Sequence, residues 1–235
     1  MRRWLLISAL AACQTETVKP TPKPHIVLIT LDTTRADRLG AYGYAGAQTE
    51  TLDALAAAGK RFSQAYSPAT LTIPAHISLF TGLYPPNHGV RGNGDGVLRK
   101  EHYTLMRALK AEGYTTGASV AAFVTTRKWG FHHGFDAFFD AVPQTENAWR
   151  GERKAEAVID DALDWVSAVG TDQPLFLWTH LYDVHFPHEA PEPYASALAK
   201  KPYDAEVAYV DDQVARLVDR FAKQPTIFVI VGDHG

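Results

Sequence analysis

Three short segments carry the side chains best suited to chemistry. Asp32 follows the apolar run His25-Ile-Val-Leu-Ile-Thr-Leu31, and Asp233 and His234 follow a second one, Thr226-Ile-Phe-Val-Ile-Val231. Thr72 lies between them in sequence, just ahead of a helix that Pro74 starts and Gly82 ends. Proline is favoured at the first helical position and glycine just past the last. A helix N-terminus offers unpaired N–H groups and a partial positive charge. A hydroxyl held there loses its proton more readily, and an anionic ester can dock beside it. Two carboxylates and an imidazole around that hydroxyl suit a divalent cation: carboxylates favour hard ions, and the imidazole admits Zn²⁺ or Mn²⁺. Such an ion would lower the hydroxyl pKa and offset charge on the substrate. Each piece alone also has a plainer reading. The Thr72 segment fits an ordinary Ser/Thr cap on a core helix, and Asp after a strand is often a turn residue.

The elements that must position these groups alternate along the chain. Apolar, partly β-branched runs predict strands over 25–31, 115–120, 175–180 and 226–231, and a further strand over 60–66. Helices are predicted over 51–58, 103–112, 152–169 and 204–223, besides the one after Thr72; Gly59 and Gly113 stop the first two. Ala155, Val158, Ile159, Ala162 and Val166 form one apolar stripe. Strands alternating with helices predict an α/β fold, a three-layer α/β/α arrangement with a mainly parallel central sheet. Sites in such folds form beyond the carboxyl ends of the strands, where Asp32 and Asp233-His234 stand. The chain of 235 residues is 46% hydrophobic, which suits one domain of moderate size. Its net charge of −3 gives no basis for binding nucleic acid.

The N-terminal stretch has a different composition. Met1-Arg-Arg is basic, and the apolar run 4–12 is too short to span a bilayer. Leu10-Ala-Ala-Cys13 resembles the lipobox of bacterial lipoproteins, and Cys13 is the sole cysteine, so no intrachain disulfide is possible. The expectation is a signal peptide over 1–12, a Pro-rich tether over 13–24 beginning at a lipidated Cys13, and a catalytic domain over 25–235. The lipid would hold the domain at a membrane of the bacterial cell envelope.

Leu31-Asp-Thr-Thr-Arg-Ala-Asp-Arg-Leu-Gly-Ala-Tyr-Gly43, the Thr72 segment with Thr81-Gly-Leu-Tyr-Pro85, His88-Gly-Val and Gly232-Asp-His-Gly235 together resemble the sulfatases and, more broadly, the alkaline phosphatase superfamily. The resemblance covers nearly all of the chain from His25 onward. It implies an alkaline phosphatase-like sheet between helices and one divalent metal ion (Ca, Mn or Zn) held by Asp32, Thr72, Asp233 and His234. By the same resemblance Thr72 is the nucleophile, His185 contacts the substrate's oxyanion, and Asn93 and His76 lie on the substrate side. The family normally continues past the Asp-His pair, so the resemblance also implies that a C-terminal subdomain is missing.

The departures from the family pattern redirect the chemistry. Sulfatases of this type convert a Cys or Ser within Cys/Ser-x-Pro-Ser-Arg to formylglycine, whereas the stretch here reads Thr72-Ile-Pro-Ala-His76. No formylglycine is expected. Thr-x-Pro-x-His is similar instead to the phosphodiesterase and nucleotide pyrophosphatase branch, which uses an unmodified threonine. Thr33 stands where many sulfatases have a second Asp, and Asp183 and His188 are spaced one residue too far apart for a second metal of that branch. The expected activity is hydrolysis of a small phosphate mono- or diester through a covalent phospho-threonine. The alternatives are sulfuric ester hydrolysis, head-group phosphotransfer, and a fragment without catalysis. His25, His102, His132, His133 and His180 read as structural, Arg35 and Asp37 as fixing the loop after the first strand, Asp136 as a turn residue, and the tryptophans as core or rim.

Overall fold

A computed structural model describes residues 22–143, 146–147 and 151–235. The expected Cys13 lipidation site and most of the tether lie outside the described residues. Five parallel strands form one sheet: β1 (His25–Leu31), β2 (Thr115–Val120), β3 (Ala137–Phe139), β4 (Leu175–Leu181) and β5 (Thr226–Gly232), in the order β3-β2-β4-β1-β5. β4, at the centre, is buried at every residue, as its unbroken apolar run requires. β1 lies between β4 and β5, with Leu31 opposite Leu181 on one side and Gly232 on the other.

Alternation along the strands separates the two faces. Trp178 and His180 of β4 face α2 (Thr72–Thr81), whose Phe80 ring meets Trp178 edge-on at 4.7 Å. Such a pair adds about 0.5–1.5 kcal/mol beyond its burial. α2 packs with α3 (Pro85–His88) and α4 (Leu105–Ala111). The opposite face is covered by α5 (Ala155–Val169), which packs on α7 (Pro202–Phe221); α1 (Glu50–Ala58) and α6 (Tyr194–Ala197) lie against α7. The predicted stripe on α5 is fully buried. The fold is therefore the expected α/β/α arrangement.

Four local expectations need correction. Residues 60–66 form no strand and are exposed throughout, with no neighbouring strand to pair with. β5 is an edge strand instead of a buried one, with Ile227 and Val229 exposed. β3 was not expected, being three residues long, and Asp136 ahead of it is more than a turn residue: its carboxylate accepts from the Thr116 N–H at 2.9 Å and pairs with Lys110, clamping β3 to β2. Thr72 is the first residue of α2 and not its cap. Leu71 takes the extended cap position, and Gly82 closes the helix at φ 69° as its composition predicts.

Gly117 on β2 shows how closely the α5 face is packed. A Cβ there would sit 2.7 Å from the Trp165 ring. Gly117→Ala is expected to cost about 1–3 kcal/mol of stability, as overpacking does, read as a lowered urea midpoint at unchanged slope.

Candidate active site

β1 and β5 run side by side and end together, so Asp32 and Asp233 leave the sheet next to each other. Gly232 permits the close approach: a Cβ there would lie 2.8 Å from the Thr34 carbonyl oxygen. Both carboxylates are at most 5% exposed. Asp233 Oδ1 accepts the N–H groups of Thr33 at 3.2 Å and His234 at 2.9 Å. Its Oδ2 and Asp32 Oδ1 have no hydrogen-bond partner. Among the described residues neither carboxylate pairs with Lys or Arg. Burial first, and the neighbouring Asp233 charge second, push the Asp32 carboxyl well above the usual range.

The N-terminus of α2 brings the hydroxyl to this pair. Thr72 Oγ1 donates to Asp32 Oδ2 at 3.1 Å and lies 3.3 Å from His234 Nε2. His234 Nε2 is 4.0 Å from Asp32 Oδ1 and 3.5 Å from Asp233 Oδ2. One ligand atom from each of Asp32, Asp233 and His234 can be chosen so that all lie within 4.8 Å of one another. Two buried carboxylates with unsatisfied oxygens, an imidazole and a hydroxyl are the donors a divalent cation requires, so these residues fit one metal ion.

The remaining expected residues divide. Asn93 reaches the same helix end, its Oδ1 accepting the Ile73 N–H at 3.0 Å, which turns its amide nitrogen away from the helix. His185 is half-buried, stacked on Tyr182 at 4.3 Å, and close enough to Asp233 and His234 for their charges to act on it; burial is the main cause of its lowered pKa. His76 is a correction. It is fully buried, its Nδ1 lies 2.9 Å from the Thr72 carbonyl oxygen, and its ring packs against Phe80, Phe131 and Trp178, so it presents no surface to a substrate. It supports α2 from within.

Asp183 and His188, the candidates for a second metal, point elsewhere. Asp183 Oδ1 accepts the first N–H of α5, Ala155, at 3.2 Å; His188 Nδ1 lies 2.7 Å from Glu206 Oε2 on α7. Glu206 also takes the Glu189 N–H at 2.5 Å, so α7 anchors the loop that carries His185. Thr33 does not turn to the cation site. Its hydroxyl donates to the Val184 carbonyl, and its own carbonyl accepts from Tyr203 Oη at 2.8 Å. These bonds hold it at φ 49°, a left-handed conformation that costs a β-branched residue on the order of 1–3 kcal/mol. Two residues beside the site escaped the sequence reading in different ways: His180 read as a plain core histidine, yet its Nε2 is 3.6 Å from Asp32 Oδ2, and Tyr182 was not singled out. The register Thr30↔His180 explains the first, and only strand order could have signalled it.

Fold and site together define an α/β protein with a candidate divalent-cation site at the adjoining ends of two parallel strands. The sulfatase family model matches residues 24–235, and the chain belongs to the sulfatase family. It is 34% identical to arylsulfatase A of Bos taurus over 144 residues, covering 57% of this chain and 28% of that one. Among solved structures, the phosphonate monoester hydrolase of Agrobacterium radiobacter superposes with a TM-score of 0.73 at 19% identity, covering 91% of this chain and 63% of the other. A protein of the alkaline phosphatase superfamily from Vibrio parahaemolyticus gives 0.72 at 22%, covering 91% and 55%. The chain spans about half or less of the length of the curated relatives it matches.

The acids behind the site give the protein a pH signature. Burial, the leading cause for both, raises Asp183 from 3.8 to about 6 and Glu206 from 4.5 to about 8. A carboxyl that holds its proton more tightly when folded stabilises the fold at low pH, and that contribution fades as pH rises through the folded pKa. Stability is therefore expected to fall from about pH 4 to 8, with Glu206 contributing to the upper part of the loss alongside the raised Asp32. Urea midpoints across this range should decline for the parent chain and decline less steeply above pH 6 for Glu206→Gln.

Proposed function

We propose that this chain carries the catalytic core of a metal-dependent ester hydrolase in which unmodified Thr72 attacks a phosphate mono- or diester. One observation carries the reading: the Thr72 hydroxyl stands at the helix N-terminus between Asp32 and His234, at 3.1 and 3.3 Å. Asp32, Asp233 and His234, with Thr72, would hold one divalent ion, which when bound would withdraw charge from the Thr72 oxygen and from the ester. The bond from Thr72 Oγ1 to phosphorus forms as the bond to the leaving alkoxide breaks. The hydroxyl proton passes to Asp32 Oδ2, and the alkoxide is protonated by solvent. Water then cleaves the phospho-threonine, and Thr72 recovers its proton. The positive end of the α2 dipole faces the developing negative charge. Asn93, through its amide nitrogen, and His185 hold the non-bridging oxygens.

A second reading, sulfuric ester hydrolysis, is favoured by membership of the sulfatase family and by the likeness to arylsulfatase A. The aldehyde route of that chemistry is closed to Thr72 on chemical grounds. Its hydroxyl is a secondary alcohol bearing a methyl group, and oxidation would give a ketone. Sulfate transfer would have to proceed through the threonine oxygen itself. The structural likeness to a phosphonate monoester hydrolase is compatible with phosphorus as the centre attacked.

Thr72→Ala is expected to abolish turnover while leaving the circular dichroism spectrum and melting temperature close to those of the parent, and Thr72→Ser to retain a measurable rate. Parallel assays with nitrophenyl phosphate, a nitrophenyl phosphodiester and nitrophenyl sulfate, each with added Mn²⁺, should favour a phosphorus ester. Parent-like rates in Thr72→Ala would refute the nucleophile, and preference for the sulfate would select the second reading.

A further inference from the structure

Behind Asp32 runs a line of buried polar groups that the ester chemistry does not use. Trp178, Thr30 and His180 are all 0% exposed. Trp178 Nε1 donates to Thr30 Oγ1 at 3.0 Å, and Thr30 Oγ1 lies 2.9 Å from His180 Nδ1. An indole N–H can only donate, so the hydroxyl receives that bond and still has its own proton to give. His180 Nδ1 is the acceptor within reach. If Nδ1 instead carried the ring proton, Thr30 would accept twice and its O–H would be buried without an acceptor, a costly arrangement. The ring proton therefore belongs on Nε2. That atom has no hydrogen-bond partner and sits 3.6 Å from Asp32 Oδ2, beyond hydrogen-bonding range but near enough for a charge–dipole contact.

The two oxygens of Asp32 are thereby made unequal. Oδ2 faces both the Thr72 hydroxyl and the His180 ring, while Oδ1 has no partner and faces His234. We propose that Trp178, Thr30 and His180 form a relay that fixes the His180 proton on Nε2 and turns the Asp32 carboxylate so that Oδ1 is presented to the cation. His180 is thus a positioning residue of the cation site. This inference rests on the reading of Asp32, Asp233 and His234 as cation ligands. His76 and His180 meet edge-on at 4.8 Å, so the two buried rings pack directly against each other.

Two measurements test it. In the metal-free parent chain with ¹⁵N-labelled histidine, two-dimensional NMR should show His180 as the Nε2–H tautomer; an Nδ1–H tautomer overturns the relay whatever the variants do. Calorimetric titration with Mn²⁺ should show binding to the parent weakened about 10- to 100-fold in Thr30→Val and in His180→Phe, the size usual for groups that orient a ligand. His180→Gln, which can return an N–H near the same place, should recover most of the affinity. Unchanged Mn²⁺ affinity in folded Thr30→Val and His180→Phe refutes the positioning role. Absence of Mn²⁺ binding by the parent would instead refute the cation-site reading, and the tautomer would still decide the relay.

Discussion

Two carboxylates buried side by side are the constraint from which the rest of the site follows. Asp32 and Asp233 repel each other in a region of low polarity, and no lysine or arginine among the described residues offsets them. Proteins do not keep such pairs without protonation or a counter-cation. Each carboxylate here leaves one oxygen unsatisfied, and the nearby His234 Nε2 and Thr72 Oγ1 are atoms that can also serve as ligands. The electrostatic problem and the catalytic opportunity share one origin. The group able to relieve the repulsion would also activate Thr72.

Holding that pair together is mainly the work of backbone geometry. β1 and β5 are neighbours and parallel, so their carboxyl ends coincide, and Gly232 lets the two chains pass closely. Thr33 is kept in a left-handed conformation by three hydrogen bonds, and the orientation this imposes gives its N–H to Asp233. Tyr203 and Glu206, one turn apart on α7, then secure the loops after β1 and β4 respectively. A helix on the far side of the sheet thus sets the position of His185.

How much of this could be read in the sequence depended on range. Strands β1, β2 and β4, helix α5 and the C-cap at Gly82 announce themselves through local pattern, because continuous apolar runs, a 3.6-residue stripe and a glycine stop are local signals. Asp32, Thr72, Asp233 and His234 were legible as a set through their shared place at element ends and through family likeness, and the structure brings the four together. His76 misled, since a histidine four residues after Thr72 occupies a motif position yet points into the aromatic core between α2 and the sheet. His180 is the buried strand histidine the sequence suggested. Its place 3.6 Å from Asp32 could not be read, because nothing in the local pattern tells which strand lies beside β1. The strand expected over 60–66 has no partner in the sheet, and its residues are exposed throughout.

The order of the strands has a consequence for biosynthesis. Asp32 and Thr72 leave the ribosome while Asp233 and His234 are still unmade, since β5 follows all four other strands in the chain and pairs with the first. Chains emerge at about 5–20 residues per second, so roughly ten seconds or more separate the two halves of the candidate cation site. The four side chains therefore meet only late in synthesis, once β5 has paired with β1.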